Sequence, residues 1–163
     1  MAYGVVNTDN LSGTFDGSKL VSFRYMPGDV ATPIENGCVV ALDSKLSTYP
    51  RDLWKAVDPT VKQALGKLVL VAGVEMDYKS SMTNLEDIRN EAGADTRGYV
   101  LTSGDDYSVT AAAITGTLNA TNKYLTVAAA NKLVAGSVAD GAVAEYVSSW
   151  TDGATDYLEI RVF

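Results

Sequence analysis

The sequence predicts a mainly β fold: a barrel or sandwich of short strands, with two short helices and an extended N-terminal arm. Three observations carry this. From Gly98 onward, apolar segments of strand length recur between turn signals at Ser103-Gly104-Asp105, Asp140-Gly141 and Asp152-Gly153. Several of them alternate with a period of two. The clearest is Tyr157–Phe163, where Leu158, Ile160 and Val162 share an inward face and Tyr157, Glu159 and Arg161 an outward one. Helical periodicity is confined to two brief stretches.

Residues 1–18 are rich in Asn, Thr, Ser, Asp and Gly, with isolated apolar residues and no period. They are expected to form an arm that can order on a partner, with a frayed terminus or an ordinary edge strand as the open alternatives. A single β-rich domain is expected over 19–163. In Leu20–Tyr25, Val21, Phe23 and Tyr25 share one face, as in a half-buried strand. Pro27-Gly28-Asp29 turns the chain, Pro33 to Gly37 turns it again, and Cys38–Leu42 is the next strand. Residues 43–66 read as a helical excursion. Asp58 is placed to cap a helix with Pro59 at its first position; Val61, Ala64 and Leu65 give its apolar stripe, and Gly66 ends it. Tyr49, Leu53 and Trp54, on the same excursion, are expected to pack over a barrel end. Lys67–Val74 is a continuous apolar strand, expected to be central. In the second short helix Asn84 is the cap and Leu85, Ile88 and Ala92 line one side. Glu86 and Asp87 favour the positive end of its dipole, and Gly93 stops it. The remaining strands are expected at Tyr99–Thr102, Tyr107–Thr110, Lys123–Val127, Lys132–Ala135, Ala142–Ser148 and Tyr157–Phe163.

Composition narrows the function. The net charge of −7 and the scatter of the 13 Lys and Arg argue against direct nucleic-acid binding and against anionic membrane surfaces. No targeting segment is expected at Met1-Ala2-Tyr3-Gly4, and no apolar run approaches the roughly 20 residues of a membrane helix. The chain has no histidine and one cysteine, Cys38, inside an apolar run. That removes Ser-His-Asp and Cys-His constellations and leaves Cys38 as a buried strand thiol. Asp105 and Asp106 are adjacent, and Asp152 and Asp156 lie four apart in what reads as a loop. Turn chemistry accounts for both pairs better than a glycosidase pair or a calcium loop. No enzymatic activity, cofactor or metal is expected. Nine tyrosines against three phenylalanines suit a protein that binds through its surface.

Two stretches carry a resemblance. One is Pro33-Ile34-Glu35-Asn36-Gly37-Cys38-Val39-Val40-Ala41-Leu42. The other runs from Leu85-Glu86-Asp87-Ile88-Arg89-Asn90-Glu91-Ala92-Gly93, through Arg97-Gly98-Tyr99-Val100-Leu101, to Gly104-Asp105-Asp106-Tyr107-Ser108-Val109-Thr110. In this order they resemble a family of capsid decoration (cement) or minor head structural proteins of tailed bacteriophages. The resemblance implies a β-barrel-like domain on the capsid exterior of the virion, bound to the major capsid protein. Homo-oligomers or lattice neighbours are the further partners. On this reading Tyr3, Val5, Leu11, Phe15, Tyr49 and Trp54 are the expected capsid or subunit interface residues, and the arm orders only on the capsid. Two alternatives stay open: another phage component such as a tail tube or head fibre, or a non-viral β-barrel carbohydrate-binding module. The last would want an exposed tryptophan platform, for which Trp54 and Trp150 are the candidates.

Overall fold

The computed structural model describes residues 2–8, 11, 17–46, 52–60, 65–73, 85–128 and 130–163. Its strands are, in chain order, β1 (Val6–Asn7), β2 (Leu20–Tyr25), β3 (Val39–Lys45), β4 (Leu53–Val57), β5 (Leu68–Val71) and β6 (Thr96–Val100). There follow β7 (Asp106–Val109), β8 (Ile114–Thr115), β9 (Tyr124–Thr126), β10 (Leu133–Gly136), β11 (Ala142–Asp152) and β12 (Thr155–Val162). The fold is mainly β. One set closes into a five-stranded barrel in the order β2-β4-β3-β5-β6, and the other forms a seven-stranded sheet in the order β1-β7-β12-β11-β9-β10-β8. Neighbours run antiparallel except β2 with β4 and β8 with β10.

The apolar run at Leu68–Val71 shows how the two halves join. Val69 and Val71 point into the barrel with Phe23, Tyr25, Val40 and Ala56. Leu68 and Leu70 point the other way, into a core shared with Tyr107, Val109, Leu125, Ile160 and Val162 of the sheet. In β3, Val39 and Val40 divide between the same two cores. A strand with an apolar neighbour on each face must be apolar at every position, so it shows no alternation. One wall of the barrel is therefore also one layer of a sandwich. Inside the barrel there is no spare room at Gly98. A Cβ there would lie 2.4 Å from a Val69 methyl and 2.7 Å from the Leu70 carbonyl oxygen.

The Ile34-Glu35-Asn36-Gly37 turn is the joint between the halves. Ile34 packs into the barrel core and exchanges two backbone hydrogen bonds of 2.9 Å with Asn90. Glu35 accepts the Gly4 N–H (3.1 Å) and the Lys132 ammonium (2.8 Å). The Asn36 side chain is buried. Its Oδ1 accepts the Gly73 N–H at 2.8 Å and the Asn90 Nδ2–H at 3.0 Å. A backbone N–H can only donate, so this fixes the Asn36 amide orientation and requires Asn90 to present its nitrogen. Gly37 has φ +80, and a Cβ on it would sit 2.6 Å from that of Ala113. A left-handed conformation and close approach together demand glycine here. Lys19 adds a second tie, reaching the buried carboxylate of Asp105 at 2.6 Å.

Three expectations are corrected. In the N-terminal segment, described at 2–8, 11, 17 and 18, an edge strand takes the place of an extended arm. β1 pairs with β7, Val6 opposite Val109, and Val5, Val6 and Leu11 are buried. Sparse apolar residues without a period suffice when the partner strand is already formed. Residues 43–66 are not a helical excursion where described. β3 continues to Lys45, and Leu53 and Trp54 begin β4 in the barrel wall. Residues 61–64 of the first expected helix lie outside the described residues. Asp58 accepts the Tyr25 hydroxyl proton at 2.6 Å, and Leu65–Lys67 is a single 3₁₀ turn. Of the second helix only the 3₁₀ turn Leu85–Asp87 is found; Asn84 lies outside the described residues. Asn90 is drawn into its bridge with Ile34 instead of continuing a helix. Cys38 is buried as expected, and burial pushes its thiol up to about 12.

Candidate functional site

The inner face of the seven-stranded sheet packs on the barrel wall through the shared core, which leaves the outer face to solvent. There β7, β12 and β11 lie side by side. In β12, Ile160 and Val162 turn inward, leaving Glu159 and Arg161 outside as the alternation predicts; Tyr107 and Val109 do the same for Asp106 and Ser108 in β7. In β11 the alternation breaks. Ala144 faces the core, and uninterrupted alternation would put Ser148 and Trp150 on that side too. A register shift between Tyr146 and Ser148 instead sets them opposite Glu159 and Tyr157. The extra residue, Val147, is exposed. This bulge delivers the tryptophan to the outer face.

Trp150 stacks on Tyr157, with ring centroids 4.9 Å apart and planes 23° from parallel. Tyr157 is only 4% exposed although it points outward. The indole Nε1–H donates to Ser108 Oγ at 3.2 Å. Ser108 is two strands away, across β12, so the indole lies flat over the sheet. Beside it the Ser148 hydroxyl donates to a Glu159 carboxylate oxygen. Arg161 grips Asp106 through two hydrogen bonds of 2.8 and 2.9 Å. That pairing raises the proton affinity of the guanidinium. Asp106, Tyr107, Ser108, Ser148, Trp150 and Glu159 line an open cleft of about 450 Å³. The arrangement suits recognition by an aromatic face with polar groups at its rim. Both of its carboxylates already have partners.

The expected interface residues do not gather here. Tyr3 is half-buried, its N–H bonded to the Glu86 carbonyl and Arg89 lying 5.7 Å from its ring centroid. Val5 and Leu11 belong to the chain's own interior, so they cannot offer a free surface; this corrects the expectation for both. Phe15 and Tyr49 lie outside the described residues. Trp54 packs against the barrel core, with Lys45 Nζ 5.4 Å from its ring centroid, and is no platform. The adjacent carboxylates separate. Asp105 turns back to accept the Thr102 N–H at 2.9 Å and Lys19, while Asp106 faces outward to Arg161. Asp152 and Asp156 lie at the ends of β11 and β12, not in a loop, and Asp156 accepts the Thr151 hydroxyl at 2.7 Å. Among the described residues no group of three or more Cys, Asp or Glu could hold a metal ion.

Trp150 was a candidate platform in the sequence, but which face it takes was not readable, because that depends on the bulge. Its partner was readable: a two-residue Gly153-Ala154 turn pairs Asp152 with Thr155 and therefore Trp150 with Tyr157. No protein-family model, curated protein or solved structure matches the chain.

Proposed function

We propose that the chain is a structural protein of a tailed-phage virion that decorates the capsid exterior and stabilises it by binding the major capsid lattice. One observation supports this most. The two phrases that carry the resemblance, 33–42 and 85–110, meet in one joint through Ile34, Asn36 and Asn90. Within them Ile34, Asn36 and Asn90 are tied to one another by the hydrogen bonds that hold the joint. The excess of acidic residues fits an outer protein that packaged DNA does not capture. A cement protein works in many copies, so modest contacts per copy suffice through avidity.

The test is co-sedimentation of purified protein with expanded capsids that lack it, followed by cryo-microscopy of the pellet. Stoichiometric density on the outer lattice is the expected result. Protein that stays in the supernatant and assembles alone into rings or fibres would overturn decoration and favour a tail-tube or head-fibre component.

A further inference from the structure

We infer that the cleft on the outer face of β7, β12 and β11 is a binding subsite for a neutral saccharide, with the Trp150 indole as its stacking platform. Three features of the cleft point to this ligand. The first is preorganisation. The indole is held from beneath by Tyr157 and at its edge by Ser108, so little side-chain freedom remains to be lost on binding. A flat aromatic ring held in this way offers its free side to the apolar C–H face of a pyranose.

The second is the equipment at the rim. Glu159 keeps a second carboxylate oxygen beside the one that accepts from Ser148, and the Ser148 oxygen can accept as well. Sugar hydroxyls are donors that such acceptors can bind. The cleft volume of about 450 Å³ lies within the range of about 300–1,000 Å³ typical of small-ligand sites.

The third is charge. Two carboxylates against one guanidinium leave this face negative. Anionic saccharides, nucleotides and phosphate esters are disfavoured, which selects neutral or N-acetylated sugars. A packing role alone for Trp150 would need neither the carboxylates nor a cleft. The inference does not rest on capsid binding, because it is argued from the residues of the cleft alone.

The experiment is a titration by calorimetry with cellotetraose, maltotetraose, mannotetraose and chitotetraose, with sialyllactose as the anionic comparison. Wild type, Trp150→Ala, Trp150→Phe and Glu159→Gln are compared. The expected result is at least one neutral tetrasaccharide binding with Kd of about 1 mM or tighter. Trp150→Ala should weaken it at least about tenfold, Trp150→Phe less, and Glu159→Gln by about three- to tenfold. Glu159→Gln leaves the stacked rings in place, so it separates recognition from any loss of folding in Trp150→Ala. No binding of any neutral sugar at about 10 mM would overturn the inference. So would affinity unchanged in both Trp150→Ala and Glu159→Gln, or a preference for sialyllactose. Retained capsid co-sedimentation by Trp150→Ala would keep the two proposals separate.

Discussion

Replacing Asn36 by alanine removes the acceptor at the centre of the joint, and its cost can be worked out bond by bond. Oδ1 accepts from Gly73 N–H at 2.8 Å and from Asn90 Nδ2 at 3.0 Å. Asn90 keeps a second acceptor, the Ile34 carbonyl at 3.1 Å, so its amide is not orphaned. The Gly73 N–H has no such alternative and is left buried without its partner. Loss of a buried partner costs about 1–3 kcal/mol, and the second bond adds about 1, giving about 2–4 kcal/mol. For a chain of this length that lowers Tm by roughly 4–16 °C. Asn90→Ala should cost less, about 1–2 kcal/mol, because both acceptors it leaves retain another donor. The two changes share a bond, so the double variant should lose at least ~0.5 kcal/mol less than their sum. Urea unfolding of the four proteins measures all three quantities from midpoints at constant slope. An Asn36→Ala cost below about 1 kcal/mol, or additivity within about 0.3 kcal/mol, would refute the reasoning.

Three further outcomes are expected. Gly98→Ala should destabilise by about 1–3 kcal/mol through overpacking against Val69 and the Leu70 carbonyl, against the usual gain from replacing a strand glycine; a neutral result in urea unfolding would contradict it. Tyr107→Phe should leave stability unchanged or raise it by up to about 1 kcal/mol, because the buried hydroxyl has no hydrogen-bond partner among the described residues; a loss above about 1 kcal/mol would show that it has one. Alkaline pH should destabilise the fold. Burial raises the Cys38 thiol from 9.0 to about 12, so the folded state keeps a proton that the unfolded state releases. The stability this contributes is complete below about pH 9 and is lost as pH rises toward 12, at up to about 1.4 kcal/mol per pH unit. Tyr25 and Tyr107 are also raised by burial, but from 10.0. Cys38→Ala should therefore flatten the fall from about pH 9 upward, most distinctly between pH 9 and 10, below the unfolded tyrosine value, which stability curves across that interval would test.

What the sequence made legible was what local pattern can encode. Leu20–Tyr25 alternates and is a strand with those bounds. Leu68–Val71 is apolar throughout because both of its faces are covered. Tyr157–Phe163 gave the inward residues of β12. The losses all depend on a distant partner. β1 is two residues long and exists because Val109 waits opposite Val6. Leu53–Val57 becomes a strand by pairing in parallel with β2 and antiparallel with β3, a position between two partners that its own five residues do not announce. The stretch after Asn84 has helical spacing, yet Asn90 is engaged by Ile34 across the joint. For the cleft, Glu159 and Arg161 were correctly read as outward, while the face of Trp150 turned on one extra residue, Val147.

The pairing of β1 with β7 also sets a timetable. Val6 leaves the ribosome 103 positions before the Val109 it joins. At about 5–20 residues per second that is a wait of roughly 5–20 s. The strands from Leu20 to Val100 can close their barrel within that interval, because every partner they need has emerged. Of the strands described, the earliest in the chain is thus among the last to be seated. Until it docks, the outer edge of β7 stays open to the same strand of a neighbouring nascent chain, so strand exchange between copies is the hazard this topology carries during synthesis.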